Sequence, residues 1–164
     1  VPDPISEARR QWITHGWEDA ADGMALVTSV VRVHQLLMER IDGVLRPLGL
    51  SFARYEVLRL LGFTRAGHLP MTRLGSLLQV HPTSVTSAVD LLEKQGYVAR
   101  SRGPQDRRIV LAAITDAGRA IVEQATDGLN REVFTAPGIS AEDVVALTRQ
   151  LSALRAAAGD PVAT

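Results

Sequence analysis

From Met24 to Leu48, apolar residues recur in alternating three- and four-residue steps, at Met24, Val27, Val31, Met38, Ile41, Leu45 and Leu48, with His34 in one slot. That spacing predicts a helix sustained over several turns. Val30, Leu37 and Val44 add a second apolar stripe, so the helix is expected to be buried on more than one side. A second copy of the chain is an economical source of one of those sides. Pro47 and Gly49 end the helix.

Before it, the segment from Ile5 to Gly23 holds both tryptophans, Trp12 and Trp17, with His15 between them. After it, Ser51 is placed to cap a helix carrying Tyr55, Val57, Leu58, Leu60 and Leu61, closed near Gly62. Residues 64–70 read as a loop. Thr72 can cap the next helix, with Leu74, Leu77 and Leu78 inward. Val80 and His81 make a turn, and Pro82 stands at the first helical position, where its missing N–H costs nothing. The helix that follows sets Val85, Ala88, Val89 and Leu92 on one face and Thr83, Ser84, Thr86 and Ser87 early on the other, with Gly96 as a left-handed stop.

Tyr97 to Arg102 and Arg107 to Ile114 are strand-like runs around the turn residues Gly103-Pro104-Gln105-Asp106. Thr115 caps another helix, whose expected buried stripe is Ala117, Ile121, Ala125 and Leu129. Beyond Ala136-Pro137-Gly138, Ser140 and Asp143 have capping-box spacing. The last helix is expected to bury Val144, Leu147, Leu151 and Leu154 and to end at Gly159.

Composition narrows the chemistry. Of 164 residues 46% are hydrophobic but only 4% aromatic, so the core must be aliphatic. With no Cys, disulfides, thiolate metal sites and cysteine nucleophiles are removed together. His15, His34, His68 and His81 include no i,i+3 or i,i+4 pair, so no metal site and no cofactor is expected. No phosphate-cradling glycine loop and no nucleophile–base pattern is present, and the chain is expected not to be an enzyme. The longest apolar run, Ile109 to Ile114, is too short to span a bilayer, and no charged-then-apolar leader opens the sequence. The expected class is a soluble cytoplasmic protein.

The formal net charge is zero, yet its distribution is uneven. Residues 72–115 hold Arg73, Lys94, Arg100, Arg102, Arg107 and Arg108 against Asp90, Glu93 and Asp106, while residues 116–164 hold four Arg against seven acids. The basic excess therefore coincides with the hydroxyl-faced helix and the hairpin. Ser and Thr are mediocre helix formers, and a merely solvated face favours Glu, Lys or Gln. A helix presenting Thr83, Ser84, Thr86 and Ser87 beside an Arg-tipped hairpin fits the grooves of duplex DNA. Arg73, Arg100, Arg102, Arg107 and Arg108 are the candidate phosphate or minor-groove contacts. Asp106, which DNA would repel, is read as a wing brace. Arg108 can pair with it, reach the minor groove, or do both. His81 is either an unusual N-cap or itself a contact.

At this point the chain resembles the MarR family of transcriptional regulators, over about Val27 to Leu154. The sharpest likeness is the wing signature, Asp106, Arg107 and Arg108 followed by Ile114-Thr115 and Gly118, downstream of SVTSAVDLLEKQGYVAR. The resemblance implies a mainly α fold with a small β-wing, a winged helix-turn-helix lobe over residues 51–115. A first dimerisation helix and N-terminal extension would occupy residues 1–50, and C-terminal dimerisation helices residues 116–164. It implies a homodimer on an inverted-repeat operator, in most cases a repressor released by a small aromatic or amphipathic effector. The segment before Met24 resembles the extra N-terminal helix of some branches, including urate-responsive ones, but the rest of a urate site is not found. Trp12 and Trp17, if the extension folds over the cleft between lobes, would border the effector pocket, with His34 a polar group inside it; as packing residues they would have no such role. The competing readings are a metal-sensing winged-helix regulator and a winged-helix protein-interaction module without DNA binding.

Overall fold

The computed structural model describes residues 2–78 and 81–162. Helix α1 (Pro4–Thr14) starts at Asp3, whose carboxylate accepts from the N–H groups of Ile5 and Ser6. It packs antiparallel along the start of α2 (Glu18–Leu45), joined by a turn through Gly16 and tied by the Arg9–Asp22 ion pair at 2.7 Å. The long helix thus begins six residues before Met24. At 28 residues it is about 42 Å long. A 3₁₀ turn, Arg46–Leu48, and Gly49 close it, as Pro47 and Gly49 foretold.

Helix α3 (Phe52–Phe63) is capped by Ser51, whose Oγ accepts from the Arg54 N–H at 3.3 Å. The stretch expected as loop contains a short strand, β1 (His68–Pro70), that pairs with the later β3. Helix α4 (Met71–Leu78) begins at Met71, so Thr72 lies inside its first turn and not at its cap. Val80, expected in the turn, lies outside the described residues. Helix α5 (Pro82–Lys94) opens with Pro82 in its first turn and is followed by Gly96 at φ +80°. Strands β2 (Val98–Arg102) and β3 (Val110–Ile114) form the hairpin, and the antiparallel sheet has the order β1-β3-β2.

Thr115 caps α6 (Asp116–Leu129), accepting from the Gly118 N–H at 3.0 Å. The buried face of α6 is Gly118, Val122, Ala125, Gly128 and Leu129; Ala125 and Leu129 are buried as expected, but in the first half of the helix Gly118 and Val122 are buried in place of Ala117, which is exposed, and Ile121, which is half-buried. A π-helical turn, Asn130–Phe134, follows, and then α7 (Ala141–Ala157), capped by Ser140. Arg40 of α2 fastens the connector, donating to the carbonyls of Glu132, Ala136 and Pro137 at 2.7–3.0 Å.

One aliphatic core joins Ile41 and Leu45 of α2, Val57, Leu58 and Leu61 of α3, Leu74 of α4, Val85, Val89 and Leu92 of α5, Ala112 of β3, and Val122, Ala125 and Leu129 of α6. No polar or charged residue is buried among the described residues. The N-terminal part of α2 and all of α7 stand outside this core. Leu26, Val27, Val30, Val31, Val33 and Leu36 are exposed, as are Val145, Leu147, Leu151 and Leu154, and α7 has no buried residue. Of the stripes expected to be buried, Ile41 and Leu45 are buried in the lobe's core and Met38, Val44, Leu48 and Val144 are half-buried, while Val27, Val30, Val31, Leu147, Leu151 and Leu154 remain exposed.

Gly118 sits where α6 starts against the base of the hairpin: a Cβ there would overlap the Tyr97 carbonyl, which is itself bonded to the Thr115 N–H. Gly118→Ala is expected to lower stability by about 1–3 kcal/mol through forced backbone movement, with the urea midpoint falling at unchanged slope.

Candidate nucleic-acid interface

Helix α5 presents its polar side because Val85, Ala88, Val89 and Leu92 commit the opposite face to the core. Thr83, Ser84, Thr86 and Ser87 are all exposed. They divide between two shallow grooves. Thr83, Ser84 and Ser87 line one with Ser51, Ala53 and Arg54 of the α3 start, and Thr86 lines the other with Met71, Thr72 and Ser76 of α4. The Thr86 hydroxyl donates to the Pro82 carbonyl at 3.1 Å, which leaves its oxygen able to accept. His81 caps the helix through Nδ1, accepting from the Thr83 N–H at 3.2 Å. Of the two readings for His81, the structure shows the cap. Arg73 lies exposed in the first turn of α4.

In the wing, alternation along β2 puts Val98, Arg100 and Arg102 on one face. Val98 is buried, so both arginines lie on the side of the strand that packs on α5. Arg100 is held there, bonded to Asp90 at 2.6 Å and Glu93 at 3.1 Å, and its backbone N–H also donates to Glu93. The carboxylates that tether Arg100 were missed in the sequence, although Asp90 and Glu93 share a helix face at i,i+3 spacing. Arg102 lies two residues further toward the tip, about 7 Å on, with Nη1 3.4 Å from the Arg107 carbonyl. Arg107 is exposed. Asp106 grips Arg108: Oδ1 accepts from the Arg108 backbone N–H at 3.0 Å and from Nε at 3.2 Å, and Oδ2 accepts from Nη2 at 3.2 Å. Asp106 is thus a brace, and Arg108, paired with it, keeps its side chain 92% exposed.

These pairings shift the acids. Hydrogen bonds from the Arg100 side chain, then from its backbone N–H, hold the Glu93 carboxyl below its ordinary value. The Arg108 side chain, then its N–H, does the same for Asp106.

The three residues proposed to meet at an effector do not all come together. Trp12 and Trp17 contact edge to face at 5.5 Å, and His15 stacks on Trp17 at 5.5 Å. Both tryptophans line an open pocket with Gly16, Glu18, Asp19 and Ala20. His34 lies seventeen residues beyond Trp17 along α2, about 25 Å away at the rise of an α-helix. Nor does α1 cover the cleft before its own lobe; it lies along α2.

A three-helix lobe with a basic hairpin, carried on a long helix, has close counterparts of known structure. Sco5413, a MarR family transcriptional regulator from Streptomyces coelicolor, is 44% identical and superposes with a TM-score of 0.77, covering 87% of this chain and 99% of that one. The chain belongs to the MarR family. The family model itself matches residues 50–110, from just before α3 to the first residue of β3. A mutant of Escherichia coli MarR in complex with operator DNA is 25% identical with a TM-score of 0.73, covering 82% of this chain and 96% of that one. Among curated sequences, the HTH-type transcriptional regulator PrsX of Escherichia coli is 30% identical over 102 residues, 62% of this chain; the chain spans about three fifths (61%) of that relative's length. The protein is a MarR-family winged helix-turn-helix transcriptional regulator, a non-enzymatic class. No helix among the described residues is long and apolar enough to cross a membrane.

The Glu93 carboxyl of α5 and the Asp106 carboxyl of the wing supply a pH test. Their values in the fold lie below the unfolded value of about 4, so these contacts contribute stability above it and lose it as pH falls through the depressed values. Carboxyl-resolved NMR titration of an Arg108→Ala variant is expected to raise Asp106 part of the way to the ordinary range, the backbone N–H at 108 still donating to it, and to leave Glu93 depressed.

Proposed function

We propose that this regulator binds an inverted-repeat operator as a homodimer, acting in the cytoplasm as a repressor that a small molecule releases. The observation that carries the reading is the exposed hydroxyl face of α5 flanked by the arginines of the wing. Each α5 would enter a major groove, where Thr83, Ser84, Thr86 and Ser87 read base edges or phosphate, with His81 and Arg73 at its flank. Arg102, Arg107 and Arg108 would approach the adjacent backbone and minor groove. Arg100, already tethered to Asp90 and Glu93, would contribute mainly by fixing the wing to α5. The Escherichia coli relative bound to operator DNA supports the placement.

The bare apolar faces of α2 and α7 support the dimer. Val and Leu side chains left in water forgo roughly 1.5–3 kcal/mol each relative to burial. A second copy is the partner whose surface matches by symmetry. Because both half-sites must engage together, a small change in the separation of the two α5 helices costs much of the affinity, and that is where an effector would act. The open depression at Trp12 and Trp17, which Glu18 and Asp19 also line, is where an aromatic or amphipathic effector would meet the two indole rings. Among the described residues no group of three or more His, Asp or Glu could hold an ion.

Two measurements test this reading. Titration of duplex DNA at several salt concentrations is expected to show steep salt dependence, with Arg107→Ala weakening all duplexes and flattening the slope. Ser87→Ala is expected to cost about 1–3 kcal/mol on the selected operator and little on random DNA. An unchanged slope and undiminished selectivity would remove the interface assigned here. Separately, Leu151→Asp is expected to weaken self-association by roughly 100-fold or more, since each 1.4 kcal/mol is tenfold and a carboxylate in an apolar interface costs several times that. Light scattering reads the outcome.

A further inference from the structure

Gly49 and Arg54, five residues apart, and the distant Gln95 close a hydrogen-bonded ring at the end of α5, with Arg54 at the edge of the groove that Thr83, Ser84 and Ser87 line. The carbonyl of Gly49, which ends the 3₁₀ turn at φ +70°, accepts from Arg54 Nη1 at 2.9 Å and from Gln95 Nε2 at 2.7 Å. Arg54 Nη1 also donates to Gln95 Oε1 at 2.8 Å, and Arg54 Nε donates to Ser51 Oγ at 3.2 Å. Both ends of the Gln95 amide are therefore used, one on each partner. Gln95 is the residue that ends α5, Gly49 is where α2 has just stopped, and Arg54 is in the first turn of α3.

The position of the ring matters more than its strength. Helix α5 packs on α3, α4 and β2, contacts that are mostly aliphatic and therefore tolerant of small rotations. Directional hydrogen bonds are not so tolerant. The ring joins the C-terminal end of α5 to the C-terminal end of the helix whose other end carries the bare apolar face. On the opposite side, Thr115 Oγ1 donates to the Gly96 carbonyl at 2.7 Å, so the end of α5 is held from two directions.

We propose that Gln95 and Arg54 are positioning residues for operator recognition, fixing the tilt of α5 against the end of α2 and so the separation of two α5 helices across a dimer. The inference rests on the dimeric DNA-binding reading above. It assigns a specificity role, for half-site spacing, to residues that need touch no base. Arg54 and Gln95 carry no hydroxyl-face or wing signature, and nothing in their local pattern marks them.

The test uses the full-length protein. Wild-type protein first selects an operator from random-sequence duplexes; affinity is then measured on that operator, on versions with one base pair inserted or removed between half-sites, and on an isolated half-site. Gln95→Met, which keeps length and helix compatibility but makes no ring, is expected to narrow the discrimination between spacings by about tenfold. Half-site affinity and salt slope should stay as in wild type, because no phosphate contact is lost. Arg54→Lys, which retains the charge but cannot donate in the same fork, is expected to fall between the two. Hydrogen exchange on the DNA-free protein supplies a readout independent of any operator: the Gly96 and Tyr97 amides should exchange faster in Gln95→Met. Wild-type spacing discrimination in Gln95→Met, equal losses on every duplex, or unchanged exchange at these amides would each overturn the proposal. Failure of the wild-type protein to enrich any duplex would instead strike at the DNA-binding reading, and the exchange measurement would still decide whether the ring holds the end of α5.

Discussion

Ile41 and Leu45 enter the aliphatic core at the C-terminal end of α2, where they meet α3 and α6, and Leu45 is completely buried. This burial makes one helix serve two surroundings. Its last turns belong to the winged lobe, and the rest projects as an arm with α1 folded along its start. Remove that anchorage and the lobe would lose its fixed relation to everything N-terminal of it. The ion pairs are mostly exposed and individually weak, whereas the fully buried leucines are distributed over α2, α3, α4, α5 and α6 and hold these elements as one body.

Polar contacts then refine what the core leaves loose. Arg40 gathers three carbonyls where α6 ends and so aims the connector toward α7. A guanidinium suits that place, since carbonyls left without partners at a helix end attract positive charge. Arg100 fixes β2 to α5, Asp106 fixes the hairpin tip through Arg108, and the Gly49–Arg54–Gln95 ring fixes the far end of α5. Arginine recurs because its planar fork can bridge two or three acceptors at once. Seventeen of the eighteen basic residues are Arg, and the structure spends several of them on internal joints and leaves Arg73, Arg102 and Arg107 exposed. A charge count along the sequence cannot separate those uses.

Much of the architecture is local and was legible for that reason. Ser51, Thr115 and Ser140 stand at helix starts because a hydroxyl satisfies an otherwise unpaired N–H, and Pro82 and Gly96 bracket α5 because one fixes φ and the other accepts positive φ. The hydroxyl face of α5 followed from the apolar spacing opposite it. The Asp106–Arg108 pair followed from residues two apart. Each of these needs only a few neighbouring residues to determine it.

What the sequence alone could not determine depends on residues distant along the chain. β1 is three residues long and exists because β3 offers it an edge, so no pattern within 68–70 marks it as a strand. At its start α6 buries Gly118 and Val122 in place of Ala117 and Ile121, with Gly118 passing close under the Tyr97 carbonyl. His34 and Trp17 belong to one stretch of sequence but stand about 25 Å apart along α2 at the rise of an α-helix. Apolar spacing on α2 and α7 implied burial, yet within the chain only the last turns of α2 enter the core and α7 has no buried residue; spacing cannot say which surface covers a face, because the hydrophobic effect is non-directional and names no partner. Arg100 shows the same division: its charge was plain in the sequence, but only the packing of β2 against α5 brought Asp90 and Glu93 within reach of it.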